Sequence, residues 1–150
     1  MYECILVGYD GSEASKKAVV KALSFAQKFS SRLVVSSVVP PVQFLLGEML
    51  TPIPVDTGAV ASNAKKTLEA LVRELREIGG EIRIDYEVLE GDPAETLLDY
   101  ALENNCGLIV VGRRGVRGVE RALLGSVSSR LVSIARGVDV LVVEPEQPPK

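Results

Sequence analysis

Histidine and tryptophan are both missing from this 150-residue chain, and only two cysteines occur. Without an imidazole there is no Ser-His-Asp triad, no histidine general base and no common transition-metal ligand set. With aromatics at 5%, the core has to be assembled from Val, Leu, Ile and Ala. Cys4 lies in an apolar run and Cys106 close to an expected helix end, with no C-x-x-C spacing between them. Each is therefore expected to be a separate, buried, inert thiol, in keeping with a reducing cytoplasm. No run is long and apolar enough to span a bilayer. Met1-Tyr2-Glu3 leads straight into a strand-like segment, so no secretory leader is expected. Acidic residues outnumber basic ones only slightly, 20 to 17, for a formal net charge of −3. That balance offers no general surface for nucleic acid or anionic membrane and leaves room for a local anion site.

What is present reads as one globular domain over residues 1–150, with 47% hydrophobic and 25% charged residues. Cys4 to Gly8 is a short apolar run that ends at Tyr9-Asp10-Gly11-Ser12, a buried strand followed by a tight turn. Ser12 is a good N-cap, and Ala14, Ala18, Ala22, Phe25, Ala26 and Phe29 then recur at helical spacing, with Lys16, Lys17, Lys21 and Lys28 opposite. Arg32 to Val39 is a second strand, stopped by Pro40-Pro41. Val42 to Val55 has apolar clusters, two prolines and no period, and reads as a long loop. Asp56 to Ile78 is an amphipathic helix with Val60, Ala64, Leu68, Leu71, Leu75 and Ile78 in one stripe, ended by Gly79-Gly80.

Glu81 to Glu90 alternates apolar and charged residues, the pattern of a strand with a wet face or at a sheet edge. Asp92 then caps a helix that opens on Pro93, where Glu95 can close a capping box and Leu97, Leu98, Ala101 and Leu102 face inward. Leu108 to Val111 is a fourth strand, Ser126 to Arg136 a helix stopped by Gly137, and Val138 to Val143 a fifth strand. Strands alternating with helices imply an α/β fold: an open, doubly wound, five-stranded parallel sheet of order 3-2-1-4-5, with helices on both faces. In that order strands one and four are neighbours, and the switch point lies between them.

The segment after the fourth strand reads Gly112-Arg113-Arg114-Gly115, nine residues, then Gly125-Ser126. Ligands of open α/β sheets bind outside the carboxyl ends of the strands. Glycines there admit positive φ and let a phosphate approach the backbone, and a helix that begins at Ser126 offers N–H groups, the Ser126 and Ser128 hydroxyls and its dipole to an anion. Asp10, at the end of strand one, should face Gly112. A carboxylate in that place suits a ribose hydroxyl or a phosphate-bound Mg²⁺. Neither G-x-x-x-x-G-K-[ST] nor a G-x-G-x-x-G after strand one is found, which sets aside P-loop NTPases and standard dinucleotide folds.

The pattern G-x-x-G, nine residues, G-[ST] resembles the ATP-binding signature of the universal stress protein family, as do Asp10-Gly11-Ser12 and Gly125-Ser126-Val127-Ser128. The resemblance runs over nearly the whole chain. It departs where the family often has a proline before the last strand, here Gly137-Val138-Asp139. It implies membership of the ATP-binding subclass, with Asp10 and Val38 at the nucleoside end and Gly112, Arg114, Gly115, Gly125, Ser126 and Ser128 around ribose and phosphates. Tyr9, Gly11, Val111 and Val127 complete the implied set. It also implies a homodimer in which the apolar edge Val138–Val143 meets its copy, as exposed apolar edges invite.

Among the remaining arginines of the segment, Arg113, Arg117 and Arg121 are expected to face solvent. The loop from Val42 to Val55 is read as a lid, a partner surface or a segment packed on its own domain. The functional expectation is a cytoplasmic, ATP-binding regulatory protein that couples occupancy to its loop or to an unidentified protein partner. A slow ATP hydrolase and an AMP-binding sensor remain as alternatives, since Asp10 is the sole obvious carboxylate near the phosphates.

Overall fold

A computed structural model of the chain describes residues 1–41, 57–113 and 126–144. The element order is β1 (Cys4–Gly8), α1 (Glu13–Phe29), β2 (Arg32–Val39), α2 (Thr57–Ile78), β3 (Ile84–Glu90), α3 (Pro93–Glu103), β4 (Cys106–Gly112), α4 (Ser126–Ile134) and β5 (Asp139–Val143). The strands form one sheet in the order β3-β2-β1-β4-β5, and every neighbouring pair is parallel. The expected α/β topology is therefore the observed one, with β3 and β5 at its edges.

Alternation along each strand divides the core in two. Ile5 and Val7 of β1, Leu33 and Val35 of β2 and Val110 of β4 are buried beneath α1 and α2, against Ala18, Ala22, Ala26, Leu68 and Val72. Leu6, Val34, Ile109 and Val111 are buried on the opposite face beneath α3 and α4, against Ala94, Leu97, Ala101 and Leu131. A central strand covered on both faces has to be apolar throughout, which is why β1 and β4 read as unbroken runs.

The caps are the expected ones. The Ser12 hydroxyl accepts the Ser15 N–H at 3.1 Å and the Asp92 carboxylate accepts that of Glu95 at 3.0 Å, each satisfying a helix-start donor. Glu95 itself does not close a capping box; its side chain pairs with Arg130 of α4, which also reaches Asp92 at 3.5 Å. Gly137, two residues before β5, has φ +78°, a conformation that glycine adopts freely.

Several expectations need correction. β3 begins at Ile84 rather than Glu81, and α4 ends at Ile134 rather than Arg136. Val60 and Ile78 of the α2 stripe are exposed, whereas Val72 is in the core. Leu102 of α3 is exposed and Ala94 takes an inward place. Cys106 opens β4 instead of lying at a helix end, and it is bonded to Cys4 in a disulfide. The two cysteines are thus not separate thiols: parallel pairing of β1 with β4 sets Cys4 directly opposite Cys106. The argument for a reducing compartment from two free thiols loses its basis. The stretch 42–55 falls outside the described residues.

Candidate functional site

Three strands end at the same place. Past β1 come Tyr9, Asp10 and Gly11. β2 contributes Ser36, Ser37 and Val38, and β4 contributes Val111 and Gly112. Together with residues of all four helices they line a cavity of about 510 Å³. It lies at the carboxyl ends of the strands, across the seam where the order reverses, and its size is that of a small-molecule site.

The turn after β1 is built by its own side chains. Gly11 has φ +86°, and a Cβ there would find nothing within 4 Å, so the backbone lies open to the cavity. Asp10 Oδ1 accepts the Ser12 N–H at 2.9 Å, and the Asp10 N–H donates to Ser15 Oγ at 3.2 Å. Gly112 is a glycine for a different reason. A Cβ on it would strike the backbone of Ala14 in α1, so it allows close packing of helix on strand rather than close approach of a ligand.

The cavity hydroxyls share a direction. Ser36 donates to the Val7 carbonyl at 3.0 Å, Ser37 to that of Tyr9 at 2.8 Å, Thr67 to that of Asn63 at 2.9 Å, and Ser15 to that of Ser12 at 3.0 Å. A carbonyl only accepts, so each hydroxyl hydrogen is committed to it; Ser15 Oγ also accepts the Asp10 N–H and Ser36 is fully buried, so the Ser37 and Thr67 lone pairs are what remains for an occupant. The β1, β2 and α2 side of the cavity, with the Asp10 carboxylate, is a wall of acceptors. The opposite wall is the start of α4, whose first turn has no acidic residue, whereas α1 and α3 carry Glu13 and Glu95 there. Its backbone N–H groups and dipole favour an anion. Ser126 is exposed at this start. Ser128 is 1% exposed and donates to the Arg113 carbonyl at 3.1 Å, which ties α4 to the end of β4.

The structure brings Tyr9, Asp10, Gly11, Val38, Val111, Gly112, Ser126, Val127 and Ser128 to one cavity. Arg114, Gly115 and Gly125 lie outside the described residues. Arg113 does not face solvent as expected: its side chain is 22% exposed and its guanidinium meets Glu144 at 2.6 Å, turned toward the end of β5. Sequence reasoning missed Ser36, Ser37, Ala64, Thr67, Pro93 and Leu97, as well as Gly8 and Ser15. A signal existed for the first two, since Ser36-Ser37 interrupts an apolar strand. Ala64 and Thr67 reach the site only through the packing of α2 over β2 and β3. No group of three or more His, Cys, Asp or Glu side chains able to hold a metal ion occurs among the described residues. No described helix is long and apolar enough to cross a membrane.

Comparison with known proteins gives a consistent result. Residues 1–144 match the sequence profile of the universal stress protein family. A universal stress protein of Thermus aquaticus is 35% identical over 135 residues, covering 90% of this chain and 94% of its own. One of Methanocaldococcus jannaschii is 28% identical over 149 residues, covering 98% and 85%. Among solved structures, a universal stress protein in complex with cAMP matches with a TM-score of 0.68 at 25% identity, over 95% of this chain and 97% of that one.

Proposed function

The chain belongs to the universal stress protein family, and on that premise we propose that it is an ATP-binding regulatory protein of the stress response that holds the nucleotide across the β1–β4 seam. One observation carries this reading: the cavity has an acceptor wall on one side and a helix start without acidic residues on the other. A nucleotide has the matching polarity, with hydroxyl and amino donors at the nucleoside end and anionic oxygens at the other. The cAMP complex of a relative at 25% identity supports the same ligand class.

In this reading Asp10 takes a ribose hydroxyl, Val38 and Leu97 flank the base, and Tyr9 and Val111 complete the walls near the strands. Gly11 keeps the backbone open to the ligand, and Gly112 lets the end of β4 close against α1 beside it. Ser126, Val127 and the start of α4 meet the phosphates, together with Arg114, Gly115 and Gly125. The triphosphate supplies a charge that backbone N–H groups can hold. A Mg²⁺ would arrive with the phosphates, Asp10 being the one carboxylate among the described lining residues. Occupancy is read out by the loop 42–55 or by a partner surface. Two copies joined through the β5 edge form the working unit, and the cytoplasm is its setting.

The test is to denature the purified protein and identify the released nucleotide, then to measure ATP binding by Gly115→Val and Gly125→Val. ATP in the wild type and loss of binding in both variants, with an unchanged circular dichroism spectrum, is the expected result. Wild-type protein that neither carries nor binds a nucleotide overturns the proposal.

A further inference from the structure

The β1–β4 seam joins parts of the chain that are remote in sequence. Cys4 lies opposite Cys106, a separation of 102 residues. The seam also divides the sheet into the two groups of strands that spread in opposite directions. The cavity straddles its carboxyl end, and the disulfide crosses its amino end. One residue later the register shifts: Ile5 pairs with Leu108, so Gly107 is the extra residue of a bulge, set against the ring of Tyr2. Both cysteines are covered, at 2% and 1% exposure, and both belong to the core beneath α3 and α4.

We propose that Cys4 and Cys106 are a redox staple for this seam, formed while the seam is open and shielded from thiol reductants once it has closed. The oxidant is a low-molecular-weight disulfide. One cysteine thiolate attacks it, giving a mixed disulfide and releasing one small thiol. The second cysteine thiolate attacks the protein sulfur of the mixed disulfide and releases the other. Two electrons and two protons pass from the cysteine pair to the oxidant, which leaves as two thiols. Both sulfurs must be reachable for this exchange, and the folded sheet covers them. Oxidation therefore accompanies folding, and reduction requires the seam to open. The bond holds together, in any open state, two strands that no short connection joins, so it restricts the unfolded chain strongly.

The experiment refolds the full chain from denaturant with a small-molecule disulfide, or without one under reductant. Free thiols are alkylated and counted by intact mass. We expect no alkylation of the oxidised protein, none after incubation with dithiothreitol in native buffer, and two alkylated sites after dithiothreitol with guanidinium. Thermal unfolding should separate the oxidised and reduced forms by roughly 10 °C, and the C4S/C106S protein should melt with the reduced form. Alkylation of both cysteines without reductant overturns the bond. Reduction in native buffer as fast as in guanidinium overturns the shielding. Coincident melting of oxidised and reduced wild type overturns the staple, and that comparison holds even if the double variant does not fold.

Discussion

A Cβ placed on Gly112 would lie 2.7 Å from the carbonyl oxygen of Ala14 and 2.6 Å from its carbonyl carbon. The end of β4 and the first turn of α1 touch through bare backbone, and neither side has a flexible atom to give way. Gly112→Ala is expected to cost about 1–3 kcal/mol, the usual penalty for overfilling a packed interior. Gly11→Ala costs about 1–2 kcal/mol by another route, since the space is open and the strain lies in φ. Denaturant unfolding of the two variants checks both costs, and because the clash at Gly112 is with the backbone of residue 14, adding Ala14→Gly should not restore the Gly112→Ala protein. A Gly112→Ala protein as stable as the wild type would show that Gly112 is not held by this contact.

The alkaline limb of stability should include a contribution from two phenols bonded to carboxylates. Tyr2 donates to Asp139 Oδ2 at 2.8 Å, joining the chain before β1 to the start of β5, and Tyr86 donates to Glu69 Oε1 at 2.8 Å, joining β3 to α2. Hydrogen bonding to a carboxylate, then desolvation and repulsion from the same carboxylate, raises both above the ordinary phenol value. The folded protein therefore keeps these protons to higher pH than the unfolded chain. The contribution is fully present below the unfolded pKa of about 10 and is lost as pH rises toward the folded values. Melting temperatures followed from about pH 9 upward should fall less steeply in the Tyr2→Phe/Tyr86→Phe protein than in the wild type. Identical slopes would remove these groups from the account.

Much of this architecture is legible because local signals agree. Ser12 and Asp92 announce helices that they do cap, and the unbroken runs of β1 and β4 announce strands covered on both faces. The errors have a common physical origin. α2 is 22 residues long, about 33 Å at the α-helical rise, whereas the seven residues of β3 span about 23 Å. A helix that overhangs its sheet exposes Val60 and Ile78 however regular its stripe, and periodicity alone says nothing of the partner's length. The disulfide was hidden for a similar reason. Cys4 meets Cys106 only through strand register, with a bulge at Gly107 directly after it. Ser37 and Thr67 come together through the packing of α2, which no spacing along the chain encodes. Asp10, Gly112 and Ser126 could be grouped beforehand because strand order alone brings their segments to one end of the sheet.

The committed hydroxyls give a prediction about the base. Ser37 and Thr67 present lone pairs, and an exocyclic amino group can donate to them, whereas a carbonyl at the same ring position faces acceptor against acceptor. Leaving such groups unpaired costs about 1–3 kcal/mol, or roughly 5- to 150-fold in affinity. ATP should accordingly bind more tightly than inosine triphosphate by about that factor, and Ser37→Ala with Thr67→Val should narrow the gap. Calorimetric titration with both nucleotides decides the matter. Equal affinities would mean that the base does not meet this wall, and the phosphate end of the site would be unaffected by that outcome.

Ser126 and Ser128 open the same helix, and they should fail differently when truncated. Ser128 is buried and its hydroxyl satisfies the Arg113 carbonyl. Ser128→Ala leaves that carbonyl without its side-chain donor and is expected to destabilise the fold by about 1–3 kcal/mol. Ser126 is exposed, so Ser126→Ala should shift unfolding by no more than about 0.5 kcal/mol. If its hydroxyl meets a phosphate, the same substitution should weaken ATP binding several-fold. Urea unfolding and ATP titration of the two variants, taken together, form a two-by-two comparison. Loss of stability confined to Ser128→Ala, with loss of affinity in Ser126→Ala, places the anion at the exposed first residue of α4. An affinity loss that appears only alongside destabilisation in Ser128→Ala would mean that the helix start acts through its position and backbone, with no part played by the Ser126 side chain.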